Sequence, residues 1–229
     1  MKTDLLRNLG LRQHLDEQET VKEFLFGLKT DLTNDIAEMR SDKRSYDYNK
    51  TGFTYFAQLQ GKKDPNADSV KKYQSLFYST TSLVTNSGGY EGFKSSGKMY
   101  SIQNRELRSA ILDLYQEAIP LLLNSTGSFI ERKQRLTRYF EDHQSLGMDG
   151  RPETEKLIQN PPIKSLCNSL IYVDELQQRY DTCLALSKKI VDMIDGGYRW
   201  EYTAKILFQQ ISQSGLNKHL KRISNYSAT

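Results

Sequence analysis

The stretch 17-EQETVKEFLFGLKTDLTNDIAEM-39 decides the fold. Val21, Phe24, Leu25, Leu28, Leu32, Ile36 and Met39 recur at intervals of three and four residues, the period of an α-helix with one apolar side. The opposite face carries Lys22, Glu23, Lys29, Asp31, Asn34 and Asp35, a charged set that reads as solvated. Tyr46, Phe53, Phe56 and Leu59 continue the stripe more loosely. A bend is expected near Gly52, because glycine weakens a helix interior by ~1 kcal/mol. Ahead of the stripe, residues 1–17 are weakly patterned, and Leu5, Leu6, Leu9 and Leu11 suit a short lead-in helix.

The same period returns along the chain. Gly61 and the Asp64-Pro65 pair break the first helix, since the residue before a proline is pushed out of the helical region. A second helix is expected over 67–85, with Val70, Tyr73, Phe77, Thr80 and Val84 on one side. A third starts near Ile102 with Ser101 or Asn104 as its N-cap, and buries Leu107, Ala110, Ile111, Leu114, Tyr115, Ala118, Ile119 and Leu122. It resumes through Phe129, Ile130, Lys133, Leu136, Tyr139 and Phe140, with a kink expected at Pro120, which cannot donate a helical hydrogen bond. After a connector with a short helical turn at 153–158, the spacing predicts a long helix over 163–194. Leu166, Leu170, Val173, Leu176, Tyr180, Cys183, Ser187, Ile190 and Ile194 form its coiled-coil-like seam. The β-prone piece Ser169, Leu170, Ile171, Tyr172 and Val173 lies inside that pattern. Gly196-Gly197 ends it, and Ala204, Leu207, Phe208, Ile211 and Leu216 suit a last helical stretch.

The fold class expected is all-α: an elongated antiparallel bundle of four to five long helices, one of them proline-kinked. Residues 18–224 make a single bundle domain after the 1–17 lead-in, and 225–229 fray. The 229 residues can bury a core without metal or disulfide staples, and a mean hydropathy of -0.66 suits long exposed helices with narrow apolar stripes.

Bulk chemistry excludes more than it selects. The net charge of +4 is mild, and the one basic run, Lys218-His219-Leu220-Lys221-Arg222, suits a helix C-terminus, so no nucleic-acid partner is expected. Cys167 and Cys183 fall sixteen residues apart on one expected helix, ~24 Å along its axis. A disulfide spans at most ~7 Å between Cα atoms. Both therefore read as packing residues. No run of ~20 apolar residues is present to cross a membrane. His14, His143 and His219 share no metal-ligand spacing, Glu141-Asp142-His143 points in three directions on a helix, and no cofactor is expected. The 14 tyrosines are not interleaved with basic residues and read as core or boundary groups.

One loop stands out. Gly88, Gly89 and Gly97 permit unusual backbone angles around Lys94, Ser95 and Ser96, just ahead of a helix start. A candidate anion or ligand loop is therefore Lys94, Ser95, Ser96, Gly97, Lys98, Asn104 and Arg105. The alternative is a tight connection in which Tyr90, Phe93 and Ile102 plug the end of the bundle. No G-x-S-x-G elbow accompanies the serines. A hydrolase or transferase at Lys94, Ser95, Ser96 and Gly97 would need groups from elsewhere, such as Arg132, Arg135 and Arg138.

Tyr90-x-x-Phe93-Lys94-Ser95-Ser96-Gly97, followed by Ile102-x-Asn104-x-Glu106-Leu107-Arg108, resembles a family of Bacteroidetes helical proteins of unknown function. Phe24-x-x-x-Leu28-x-x-Asp31-Leu32-x-x-Asp35-Ile36 is similar to its first helix. The resemblance covers roughly Glu19 to Trp200 and rests mostly on core and turn positions. It implies an N-terminal transmembrane anchor with the helical domain on the extracytoplasmic face of the inner membrane. This chain departs from that pattern, for nothing before Glu19 can span a membrane. The expected function is a non-enzymatic, membrane-tethered domain that senses a small ligand or binds a protein partner. A homodimer through the seam over 163–194 is a further expectation, and the hydrolase or transferase is the alternative.

Overall fold

Residues 2–59, 66–145 and 153–197 are described by a computed structural model. The opening stripe belongs to α1 (Lys2–Gln58), a helix of 57 residues that absorbs the expected lead-in and passes Gly52 without interruption. At ~1.5 Å per residue it is about 85 Å long. Its buried seam runs through Val21, Leu25, Leu28, Leu32, Asp35, Met39, Asp42, Tyr46, Asn49, Phe53 and Phe56, with Ile36, Gly52 and Ala57 buried beside it. The steps alternate four and three without a slip, which is the heptad of a coiled coil. The stripe loosens after Met39 only in composition, because Asp35, Asp42 and Asn49 occupy one heptad position in three successive repeats. Asp35, expected on the solvated face, is 1% exposed.

Two further helices complete the seam. α4 (Arg105–Asp113) passes through a π-turn at Leu114–Ala118 into α5 (Ile119–His143). Ile119 N–H donates to Leu114 O, five residues back. The discontinuity expected at Pro120 is therefore taken up as a widened turn just before the proline, a usual cause of helix bends. α5 buries Leu122, Thr126, Phe129, Lys133, Leu136 and Phe140, again in alternating fours and threes. The last helix departs from expectation. It is two helices, α7 (Pro161–Asn168) and α8 (residues 174–197), separated at the β-prone piece 169–173. α8 continues the seam through Leu176, Tyr180, Cys183, Ser187, Ile190 and Ile194.

Contacts fix the directions. Lys29 pairs with Asp195, Lys43 with Asp181 at 2.6 Å, and Lys50 with Asp174 at 2.7 Å, so α8 runs antiparallel to α1. Tyr46 meets Phe129 edge-on at 5.0 Å, and Lys133 Nζ lies 5.8 Å from the centre of the Phe53 ring. α5 therefore runs parallel to α1. The seam on α8 is covered by α1 of the same chain: Tyr180 packs on Tyr46 and donates to Asp42.

The chain returns from the end of α1 to the start of α4 along α1 itself. α2 (Ala67–Tyr73) and a 3-10 turn at Gln74–Phe77 replace the helix expected over 67–85. Residues 79–87 are neither helix nor strand. α1 holds this strap by its unpaired backbone groups: Tyr46 OH donates to Thr81 O, Glu38 accepts from Val84 N–H, and Asp35 accepts from the N–H and Nδ2 of Asn86. From Thr81 to Asn86 the strap covers the length of α1 between Tyr46 and Asp35, on the order of 3 Å per residue, which only extended chain can do. Leu83 is buried beneath it, whereas Val84, expected inside, is 69% exposed. α3 (Gly88–Ser95) follows. α6 (Thr154–Leu157) fills the connector as expected, and Pro161 opens α7 where its missing N–H costs nothing. The class is all-α, with three long helices and a strap among the described residues. The break over 61–65, the stretch from Ala204 to Leu216, the basic run at 218–222 and the tail at 225–229 lie outside them.

Gly52 is where α2 and its 3-10 turn close on α1: a Cβ there would stand 2.3 Å from Leu76 Cδ1 and 3.0 Å from the Tyr73 ring. Gly127 in α5 faces open space. Gly127→Ala is expected to stabilise by about 0.5–1 kcal/mol, and Gly52→Val to destabilise by about 1–3 kcal/mol through overpacking; urea denaturation measures both. Lys133 is 3% exposed with no hydrogen-bond partner on Nζ among the described residues, and burial lowers its pKa from 10.5 to about 8. Its charged form is disfavoured in the folded state, so stability rises as pH climbs through 8 toward 10.5. Lys133→Met is expected to gain on the order of 1–3 kcal/mol at pH 7 and to lose that pH dependence. Denaturation midpoints at pH 7, 8.5 and 10 decide it.

Candidate functional site

The glycine- and serine-rich loop lies over an apolar plug. Tyr90, Phe93, Met99 and Ile102 are buried; Phe93 stacks on Phe24 at 3.9 Å and Tyr90 on Tyr115 at 4.2 Å. Gly97 turns the chain with φ 75°, the only positive φ among the described residues. A 3-10 turn at Lys98–Ser101 leads to α4. Asn104, not Ser101, caps that helix, its side chain accepting from Leu107 N–H at 3.0 Å. Ser101 instead donates to Glu17 on α1.

The seven residues expected to bind an anion are therefore placed as follows. Lys94, Ser95, Ser96 and Gly97 are exposed together at the end of α3, and Lys98 is half-buried. Asn104 and Arg105 are exposed at the start of α4, beyond the 3-10 turn. Lys94 Nζ lies 5.5 Å from the centre of the Tyr90 ring. Ser96 Oγ donates to Phe93 O at 2.7 Å, so its proton goes to a carbonyl and not to a base. Glu106, in the first turn, pairs with Lys189 at 2.8 Å and puts a carboxylate where an anion would sit. Arg132, Arg135 and Arg138 do not join the loop: Arg132 lies 27 residues past the start of α4, about 40 Å along the helix. Among the described residues no base is paired with a serine of this loop, the pairing that nucleophilic catalysis uses.

The other reactive groups are held quiet. Burial pushes the Cys167 thiol up to about 12 and Cys183 to about 11, and both are free and unreactive at neutral pH. Asp42 accepts from Tyr180 OH at 3.1 Å, and burial raises its carboxyl above the usual range despite that bond. Burial likewise raises Asp35. His143 stacks on Tyr139 at an exposed helix end, and its Nδ1 lies 3.0 Å from Tyr139 O. Among the described residues no cluster of His, Cys, Asp or Glu has the makings of a metal site, and no helix is long and apolar enough to cross a membrane.

A concavity among the described residues lies elsewhere, beside the break between α7 and α8. It is a cleft of about 450 Å³. One face of α5 supplies Asn124, Ser125, Ser128 and Arg132, which recur at helical spacing. The break supplies Tyr172, 75% exposed, and the first turns of α8 supply Asp174, Glu175, Leu176 and Arg179. Its charges divide into two groups. Asp174 is taken by Lys50, and Glu175 by Arg179, whose guanidinium also donates to Leu121 O at 3.0 Å. Arg132 has no partner among the described residues, and its Nε is buried without a hydrogen bond. Asn124, Ser125 and Ser128 make no side-chain hydrogen bonds among the described residues. The free chemistry of the cleft is therefore one guanidinium, one amide, two hydroxyls and an aromatic ring.

Sequence reasoning named Arg132 but sent it to the wrong place, because a continuous helix over 163–194 leaves no cleft for it. The β-prone piece at 169–173 was the available signal. Comparison with protein-family models, with curated proteins and with solved structures finds no match. The loop's role in holding the bundle end predicts that Asn104→Ala costs about 1 kcal/mol through the lost cap, while Ser95→Ala, at an exposed position, stays within about 0.5 kcal/mol of the parent chain. Thermal unfolding of the two variants side by side checks this.

Proposed function

We propose that this chain is a non-enzymatic binding domain that senses a small polar ligand in the cleft between α5 and α8. One observation carries the reading: Arg132, with no partner among the described residues, lines a cleft whose carboxylates are already paired with other cations. Leaving a charged donor unsatisfied costs free energy, and a ligand that satisfies it recovers that cost. A cleft of about 450 Å³ is in the range used for metabolites.

The position of the cleft suits a sensor. One wall is α5, and the other is the break at 169–173 with the first turns of α8. A ligand bridging the two walls would favour one setting of that break over others, which is what coupling binding to shape requires. The resemblance of the loop and first helix to the anchored family adds a tether at the extracytoplasmic face of the inner membrane, and that part of the proposal rests on the resemblance alone.

A thermal-melt panel of metabolites, inorganic anions, amino acids and sugars tests the reading. A ligand present at about 100 times its Kd adds ~2.7 kcal/mol, a rise of roughly 5–11 °C for a domain of this size. The expected outcome is a saturable rise for at least one small molecule that disappears in Arg132→Gln. A flat panel, or a rise unchanged by that substitution, overturns the ligand-sensing reading and leaves a protein partner as the alternative.

A further inference from the structure

The free groups of the cleft also restrict the class of ligand. We infer that it takes a small hydroxylated anion, of the kind represented by an acidic monosaccharide or a monosaccharide phosphate. The inference rests on the binding role proposed for this cleft. Three features point the same way.

The first is charge. Asp174 and Glu175 line the cleft but are held by Lys50 and Arg179, at 2.7 and 2.5 Å. Arg132 is the remaining charged group, and its planar fork matches a carboxylate or a phosphate with two parallel hydrogen bonds. A ligand carrying only a cation would meet carboxylates that are already paired and a guanidinium that repels it.

The second is the row of neutral polar groups on the same helix. Ser128 stands one turn before Arg132, and Asn124 one turn before that, with Ser125 beside it. An amide and two hydroxyls both donate and accept. That is the complement of ligand hydroxyl groups, which do the same. A bare anion such as acetate would leave these groups unused, and an apolar acid would desolvate them without return.

The third is Tyr172. An aromatic ring left 75% exposed at the mouth of a polar cleft, with Leu176 also in the lining, offers an apolar surface beside the hydrogen-bonding groups. The C–H face of a sugar ring is such a partner: flat, weakly polar and edged with hydroxyls. The aromatic ring supplies contact area at little conformational cost.

The test uses the whole chain and four probes by isothermal titration: D-glucuronate, D-glucose 6-phosphate, D-glucose and acetate. Binding of glucuronate or the sugar phosphate is expected, whichever anion the cleft prefers, with glucose and acetate each weaker by about 10- to 100-fold because each lacks one half of the recognition. Arg132→Gln is expected to weaken the acidic probe by about 10-fold or more and to leave the residual affinity for glucose unchanged. Tyr172→Ala, at an exposed position that leaves the bundle packed, is expected to weaken both sugars and to leave acetate unchanged. Far-UV circular dichroism and the melting midpoint of each variant separate lost binding from lost folding. Equal affinity for acetate and the acidic sugars, equal affinity for glucose and the acidic sugars, or binding of either acidic sugar that survives both substitutions overturns the inference. If none of the four probes binds while an amino acid from the wider panel does so in an Arg132-dependent way, the cleft remains a ligand site and the acidic-sugar class falls. If nothing binds in either experiment, both fall together.

Discussion

Everything in this bundle depends on one seam of α1. Over five heptads the same edge of the helix must serve three neighbours: α5 running alongside, α8 running back, and a strap of non-helical chain. A purely apolar edge would satisfy the two helices and fail the strap, because backbone N–H and C=O groups outside a helix need partners. Two polar groups on that edge answer the strap's need: Asp35 takes two donors from Asn86 and Tyr46 donates to Thr81 O, while Asp42 takes the hydroxyl of Tyr180 on α8. Their burial is costly in isolation. It is offset where a hydrogen bond replaces water, and it specifies where the strap lies along the helix.

The same arithmetic of satisfied and unsatisfied groups separates the two places that invite a functional reading. At the glycine loop the polar groups are turned to local use: Asn104 caps, Ser96 bonds its own turn, and Glu106 meets Lys189. At the cleft beside Tyr172 the accounting does not close among the described residues, and Arg132 is left over. Lys133, the next residue, is also left over, but it sits in the core against Phe53, where its charge works against stability and offers nothing to a ligand. Adjacent residues on a helix point about 100° apart, so one leftover cation can line an open cleft while its neighbour lies in the core.

Much of the fold was legible in the sequence and the site was not, for identifiable reasons. Leu28, Leu32, Tyr180 and Ile190 announce their helices by spacing alone. Asp35 is buried against expectation because a carboxylate in a three-four pattern reads as surface unless the heptad is counted through it. The helix expected over 67–85 failed after Phe77 because Thr80 and Val84 keep the period by accident; Leu83 is the residue that is buried. The break at 169–173 was hidden because Leu166, Leu170 and Val173 preserve helical spacing across it. A site that arises where a pattern is interrupted cannot be seen by a reading that rewards continuity.

The Lys–Asp pairs along α1 and α8 have a meaning beyond their small individual worth at the surface. They stand at Lys29, Lys43 and Lys50, two heptads apart and then one, and their partners Asp195, Asp181 and Asp174 repeat the same uneven spacing in reverse. The missing rung lies at Ile36, opposite Lys188. Sliding α8 by one heptad either way keeps its apolar seam matched, so hydrophobic packing alone would permit the slide. It would bring Lys29 or Lys43 against Lys188. The uneven ladder therefore acts as a notched ratchet: it makes one longitudinal setting of the two helices electrostatically distinct from its neighbours, and with it fixes how far along α5 the break at Tyr172 comes to rest.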